Sequence, residues 1–524
     1  MAQTNEILKY PIGVQNFESI RSENWLYVDK TALMHKLVTN GKYYFLSRPR
    51  RFGKSLLIST LEAYFQGKRE LFKGLAIDKL TDDWEPRPVI HIDLNAKAYE
   101  VRQDLLEIIH RQLRPLEEMY GIEPSDNLSV DSRFAYLVSA AHAATGRKVA
   151  ILIDEYDKPL ISTIKDEPLQ STYRTILKGF YGVLKSCDAD IQFAMLTGVT
   201  KFSKVSIFSD LNNLEDITLN DRFSTICGIT PEELVTNFQP GINALSERLE
   251  VSQEQAVETL KNNYDGYHFS AGLNDVYNPY SLLCALKNSD IGDFWFETAT
   301  PTYLADKLKE SRMDLHELED EKLAAPRMMT VDLISADPIP VLFQSGYLTI
   351  KAFDSKFRRY TLGYPNREVK EAFLNFLLPY YTPPLTERTA FDIVEFVGDV
   401  EQGRPESFMR RLSALFSGYP YDMVTDCELH YHNVIYLALM LMGFYVRAEY
   451  RTSDGRCDAV VQTDRFIYIF EFKYDKSARE ALEQIERKNY AAQFAADPRT
   501  LFKIGVNFSP QTRSINEYLI EPRE

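Results

Sequence analysis

Residues 43–65 read YYFLSRPRRFGKSLLISTLEAYF. The stretch opens as a short aromatic and aliphatic strand, Tyr43 to Ser47, breaks at Pro49, and resumes as a helix at Gly53-Lys54-Ser55. Strand, loop and helix N-terminus in that order make an anion site, because the first N–H groups of a helix have no carbonyl partner and point back at the loop. Lys54 adds a point charge for β- and γ-phosphates, and the Ser55 hydroxyl is a Mg²⁺ ligand. The usual pattern G-x-x-x-x-G-K-[ST] needs a glycine five residues before Gly53, where this chain has Arg48. Arg48 is therefore expected to bring charge to the phosphates, with Arg50 and Arg51 beside it.

Working outward, strand runs bounded by turns fall at Val89 to Leu94, Val149 to Ile153 and Gln192 to Leu196. Helical stretches, Val101 to Met119 and Asp131 to Ala144, separate them. Apolar strands alternating with helices predict an α/β unit with a parallel sheet covered on both faces. The run from Val149 belongs to VAILIDEYDKP, in which an apolar strand ends in Asp154 and Glu155. A carboxylate at that end of a buried strand suits Mg²⁺ coordination, and an adjacent Glu is placed to deprotonate water. Asp154 is the metal-side acid and Glu155 the candidate base. Thr197, after the next strand, is a candidate reader of the γ-phosphate. An extra strand, VIHIDL, between loop and acidic pair is the arrangement of additional-strand P-loop NTPases.

After about residue 225 helices take over. Thr230-Pro231-Glu232-Glu233 gives an N-cap, a proline at the first helical position and a glutamate three after the cap. The expected divisions are a P-loop core over 1–225, a helical subdomain over 226–289, a helical and hairpin connector over 290–375, and a last α/β unit over 376–524. The connector hairpin is expected at LFQSGYLTIKAFD and RRYTLGYP, and the last unit begins near the Thr382-Pro383-Pro384 break. Its strands are expected at Tyr445 to Tyr450, Cys457 to Gln462 and Phe466 to Lys473.

The last unit carries a second constellation. Asp458 lies on one strand of an expected hairpin, and Glu471 and Lys473 lie two apart on the next, so their side chains share a face. Asp458 and Glu471 are candidate ligands for Mg²⁺, which polarises a phosphodiester, while Lys473 positions the water. Glu428, in the first turn of the helix in CELHYHNVIYLALMLMGF, is a further candidate metal ligand. Gln484 and Tyr490 are candidate supports on the helix after Lys473. His430 and His432 have no Cys or His partner at zinc spacing and are read as helix positions.

Composition bounds these readings. Of 524 residues, 45% are hydrophobic, 12% aromatic and 26% charged, which is a globular composition of more than one core. Lys and Arg number 60 against 75 Asp and Glu, a net charge of −15, so bulk charge does not coat nucleic acid. Cys187, Cys227, Cys284, Cys427 and Cys457 lie far apart and make no CxxC pair, which favours a reducing cytoplasm over a disulfide framework. No basic and apolar leader opens the chain, and Val434 to Phe444 is far short of the roughly 20 residues of a membrane span, so no membrane partner is expected.

Several stretches together resemble the bacterial AAA-ATPase-like proteins that carry a C-terminal PD-(D/E)XK nuclease-like domain. They are YPIGVQNFESIRSENWLYVDKT, FLSRPRRFGKSLLISTLEAYF, ILIDEYDKP, LTGVTKFSKVSIFSDLNNLEDIT, NNYDGYHFS, VYNPYSLL, LFQSGYLTI and GRCDAVV with FIYIFEFKYD. The resemblance implies a P-loop ATPase sheet followed by a restriction-endonuclease-like α/β domain. It also implies that an RPRRFGKS-like loop is the family's own form, and that Glu428 matches the family's glutamate on the first nuclease helix.

The expected function is ATP binding, with hydrolysis, coupled to Mg²⁺-dependent phosphodiester cleavage, on DNA rather than RNA. From Phe376 onward 17 Lys and Arg face 22 Asp and Glu, so a nucleic acid would need a local groove fed by Arg447, Arg451, Arg456, Lys476, Arg479 and Lys488. The alternative is a nucleotide-dependent switch or scaffold whose nuclease-like domain binds a partner without cleavage. A third reading is an ATPase that moves on nucleic acid. A trans-acting arginine such as Arg222 would imply an oligomer.

Overall fold

The computed structural model describes residues 9–522 except 96–97, 125–126, 203–212, 297–301, 320–321, 330, 332–336, 383–392, 417–426, 444 and 451–457. The Pro383-Pro384 break, Arg451, Arg456, Cys457 and part of LTGVTKFSKVSIFSDLNNLEDIT lie outside these residues. The chain divides into two compact units, Met1–Thr300 with Asp320–Val369, and Pro301–Glu319 with Lys370–Glu524.

The first unit is built on five parallel strands: β1 (Tyr43–Ser47), β2 (Val89–Asp93), β3 (Val149–Asp154), β4 (Ile191–Gly198) and the two-residue β5 (Glu215–Asp216). Their order across the sheet is β2-β3-β4-β1-β5. Every residue of β1 and β3 is buried, as strands covered on both faces require, whereas β2 alternates because it lies at an edge. VIHIDL thus intervenes in sequence but not in space. The strand inserted between the loop strand and the acidic strand is β4, which brings Thr197 between Leu46 and Asp154 at one end of the sheet.

The helix Lys54–Phe65 follows the loop, and Arg102–Met119 and Val130–Thr145 fall within a residue of the sequence expectation. Thr230 caps the helix Pro231–Asn237 in a capping box with Glu233. This helix and those after it bury Leu234, Phe238, Ile242, Leu245 and Leu260 in one cluster, against which Tyr10, Ile12 and Val28 of the N-terminal segment pack. The expected hairpin forms from β7 (Thr349–Asp354) and β8 (Arg359–Gly363), and β6 (Lys322–Ala324) adds a third antiparallel strand to it.

The second unit holds a sheet of order β13-β12-β11-β10-β9, formed by β9 (Arg447–Tyr450), β10 (Ala459–Gln462), β11 (Phe466–Tyr474), β12 (Thr500–Ser509) and β13 (Ser514–Pro522). Only the β11/β12 pair is parallel, and the helix Ala478–Arg487 connects it. That helix buries Ala478, Ala481, Leu482 and Ile485 and exposes its charges. It sits so close to β12 that a Cβ on Gly505 would lie 2.3 Å from the Ala478 carbonyl oxygen. The helix Cys427–Met442 is almost wholly buried from Tyr431 onward. No helix among the described residues is long and apolar enough to cross a membrane.

Candidate functional site

The first site forms where β1, β3 and β4 end. Gly53, at φ 90, caps the N-terminus of the helix Lys54–Phe65, a backbone conformation that glycine adopts without strain. A cleft of about 380 Å³, large enough for a small ligand, is lined by Arg50, Arg51, Gly53, Lys54, Ser55 and Glu155. Gln15, Asn95, Lys158 and Tyr280 complete its polar rim. A smaller apolar pocket adjoins it, lined by Tyr27, Val28, Phe52, Ile229 and Phe238 and sharing Pro11, Gly53 and Pro279 with the cleft.

Lys54 is buried, and its Nζ donates to the carbonyls of Arg48 and Pro49, at 3.0 Å each. The Asp154 Oδ1 accepts the Thr197 hydroxyl at 2.6 Å and the Glu155 N–H at 3.0 Å. Glu155 has φ 54, in the left-handed region that a non-glycine residue enters only under constraint. The turn after it is braced by two residues that the sequence reading passed over. Asp157 Oδ2 accepts the N–H groups of Val199 and Thr200 at 3.0 and 2.6 Å, and the Tyr156 hydroxyl donates to the Thr200 carbonyl at 2.6 Å. Burial pushes the Asp157 carboxyl up to about 7, and the Glu155 charge adds to the rise. Its signal was the second aspartate of IDEYD; Asn95 and Lys158 carried none.

Two expectations are corrected. Arg48 does not face the cleft: its guanidinium is buried, donates to the carbonyls of Ser47, Thr218 and Phe223 at 2.9, 2.9 and 3.3 Å, and lies 4.1 Å from the centre of the Phe269 ring. A planar fork of donors satisfies three carbonyls there, which a glycine could not. Thr197 is fully buried and holds Asp154, so it does not line the cleft either.

The second site sits on β10 and β11. Ala459 pairs with Phe470, which sets Asp458 opposite Glu471, and Asp458 Oδ2 accepts the Phe472 N–H at 2.8 Å. Glu471 is 1% exposed; its Oε1 accepts from Lys473 Nζ at 2.8 Å and from Gln484, while its Oε2 is buried with no hydrogen-bond partner. Burial first, and Asp458 second, raise the Glu471 carboxyl to about 7; burial also raises Asp458. Two acids that resist ionising together, one with an unsatisfied oxygen, fit a divalent cation, which hard oxygen ligands bind with water and phosphate completing the shell.

Glu428 does not join them. It is exposed in the first turn of its helix, and no group of three or more His, Cys, Asp or Glu that could hold a metal ion occurs among the described residues. His430 and His432 lie on the same helix, and burial drives His430 down to about 4. Of the expected groove cations, Arg447, Lys476, Arg479 and Lys488 are exposed, and Arg479 pairs with Glu521 at 3.1 Å.

A parallel P-loop sheet with a loop-and-acid cleft, followed by a mixed sheet carrying Asp458, Glu471 and Lys473, defines an AAA-ATPase-like protein with a nuclease-like domain. A family model described as a predicted AAA-ATPase matches residues 11–208, and one for the PD-(D/E)XK nuclease superfamily matches residues 426–518. An uncharacterized protein in the vnfD 5' region of Azotobacter chroococcum mcd 1 is 35% identical over 531 residues, covering 98% of this chain and 99% of the relative. The chain belongs to the family of AAA-ATPase-like proteins with a C-terminal PD-(D/E)XK nuclease-superfamily domain. Among solved structures it is similar to the Aeropyrum pernix ORC1 protein in complex with DNA, at 14% identity, TM-score 0.23, and coverage of 66% of this chain and 91% of the other. The Aeropyrum pernix ORC2 protein in its ADPNP-ADP complexes gives 11% identity, TM-score 0.24, and coverage of 72% and 96%. Similarity at these scores says nothing about function.

Proposed function

We propose that the first unit binds and hydrolyses ATP with Mg²⁺ and that the second cleaves a phosphodiester of nucleic acid, DNA before RNA, with a divalent cation. The observation that carries this reading is the convergence of Gly53, Lys54, Ser55 and Glu155 on one ligand-sized cleft at the ends of a parallel sheet. In this reading the backbone N–H groups after Gly53 and the Lys54 ammonium hold the phosphates. Ser55 and Asp154 hold the ion, Thr197 fixes the Asp154 carboxylate, and the apolar pocket beside Pro11 takes the base. Glu155 orients and deprotonates water.

In the second unit Asp458 and Glu471 hold the cation, and Gln484 fixes the Glu471 carboxylate. Lys473 neutralises charge that develops on the phosphate. The cation, once bound at either site, polarises a phosphoryl oxygen and, in the second, lowers the pKa of its water. The unsatisfied Glu471 Oε2 supports this assignment.

The test is a matched set of ATPase and nuclease assays on wild type, Lys54→Ala, Glu155→Gln and Asp458→Ala. Lys54→Ala is expected to lose ATP binding. Glu155→Gln is expected to keep binding and lose hydrolysis by about 100-fold or more. Asp458→Ala is expected to lose cleavage and keep ATP binding. A wild type that cuts no DNA or RNA in Mg²⁺ or Mn²⁺, with or without ATP, would favour the second reading, a nucleotide-dependent scaffold. The pairing of Arg479 with Glu521 and the acidic balance of the second unit support that reading.

A further inference from the structure

The loop between β1 and its helix is held from behind by Trp295 and Glu368, which no motif marks. The Trp295 indole N–H donates to the Arg50 carbonyl at 3.1 Å. The Trp295 backbone N–H in turn donates to Glu368 Oε1 at 2.8 Å, and the Ser281 hydroxyl donates to the same oxygen at 2.9 Å. Trp295 is 1% and Glu368 2% exposed, and Glu368 Oε2 has no hydrogen-bond partner. Gly346 leaves room for this packing, since a Cβ there would lie 2.8 Å from Pro49 and 3.5 Å from the Trp295 ring. On the next residue of the loop, the Arg51 guanidinium lies 4.6 Å from the centre of the Tyr280 ring, and both residues line the cleft.

A trans peptide directs its carbonyl and the following N–H to opposite sides. Fixing the Arg50 carbonyl on the buried indole therefore turns the Arg51 N–H away from Trp295. Arg51 has φ 68, so its own backbone is held in a strained region that needs support from its surroundings. Backbone N–H groups at such a loop are the phosphate donors of a nest.

We infer that Trp295 and Glu368 are positioning residues for triphosphate binding: the indole sets the Arg50–Arg51 peptide, and the Glu368 carboxyl oxygen sets the indole. The inference rests on the proposed ATP site. Burial raises the Glu368 carboxyl to about 8, so it is protonated at neutral pH and a glutamine reproduces it closely. The acceptor oxygen, not the charge, is what Trp295 and Ser281 need.

The experiment uses the full chain with ATP and Mg²⁺, read by titration calorimetry and by the tryptophan fluorescence of a Trp25→Phe, Trp84→Phe background in which Trp295 is the one indole left. Trp295→Phe removes the donor and is expected to weaken ATP binding by about three- to tenfold, the worth of one hydrogen bond. Glu368→Ala is expected to weaken it at least as much, and Glu368→Gln to restore it to within about twofold. ATP is expected to shift the Trp295 emission, and Glu368→Ala to abolish the shift. Unchanged ATP affinity in Trp295→Phe, or failure of Glu368→Gln to restore what Glu368→Ala loses, overturns the inference while leaving the ATP site standing. If Glu368→Ala does not fold, Trp295→Phe and the fluorescence shift decide. A wild type that binds no ATP overturns the ATP site itself.

Discussion

Arg48 shows how far a residue's position in a motif can stand from its job. It occupies the place of the first glycine of a phosphate loop, yet its guanidinium is turned into the core and bonded to three carbonyls. Burial with no paired carboxylate lowers its pKa to about 10, still charged at neutral pH. Arg48→Met is therefore expected to act on stability. Leaving the Thr218 carbonyl without its Arg48 donor, and the Phe223 carbonyl with the Ile226 N–H alone, should cost about 1–2 kcal/mol, seen as a lower denaturant midpoint. ATP affinity at a temperature where the variant is folded should stay within about threefold. A large affinity loss with unchanged stability would mean that the guanidinium reaches the phosphates after all. Nothing in RPRRFGKS reveals this orientation, because two of the three partner carbonyls stand 170 and 175 residues further along the chain. The meeting of Lys54, Ser55 and Glu155 at one cleft was legible, since strand, loop and helix are local. Glu471 with Lys473 was legible for the same reason: a spacing of two on a strand fixes a shared face.

At the scale of elements, periodicity located β1 to β4 and β7 to β11 to within a few residues, and Thr230 announced its helix, whereas β12, β13 and the helix Glu167–Ser186 were not anticipated. Sheet order was less accessible. That β4 lies between β1 and β3 is a non-local pairing, which VIHIDL's place in the sequence disguises. Close approach was also hidden: Gly505 looks like any strand glycine until the helix Ala478–Arg487 is laid across it. Gly505→Ala would force a methyl to 2.3 Å from the Ala478 carbonyl and 2.9 Å from the Leu482 nitrogen. Since both are backbone atoms, the helix must lift, and with it Gln484, which holds Glu471. The expected loss is about 2–3 kcal/mol in the second unit, with cleavage falling further than the stability loss alone explains. Circular dichroism melts beside a cleavage assay measure both, and an unperturbed melt would show that the helix is not seated as described.

On the scale of the whole molecule, two compact units with separate cores predict two unfolding transitions, only the first of which ATP should raise. The first should also carry a distinct pH dependence. A glutamate ionises near 4.5 in the unfolded chain, whereas burial holds Glu368 protonated up to about 8. Between those values the native state keeps a proton that the unfolded state has released, so stability falls as pH rises from about 4.5 and levels off above about 8. Asp157, raised to about 7, and Asp265, raised to about 6, both by burial, act in the same direction and end at lower pH, so Glu368 dominates the slope above about pH 7. Calorimetry between pH 5 and 8.5 should show the first transition moving down, and Glu368→Gln should reduce that slope, most completely above about pH 7, and raise the transition at pH 8. An equal slope in wild type and Glu368→Gln would assign the dependence elsewhere.

The left-handed backbone at Glu155 has a consequence for inheritance. Glycine or asparagine would relax that turn by about 1 kcal/mol, so folding by itself favours replacing the acid. A lineage released from the need to activate water should drift toward those two residues at position 155 before Lys54 or Gly53 decays. In the proposed reading, glutamate there is kept by demand for chemistry, against the preference of the chain that carries it.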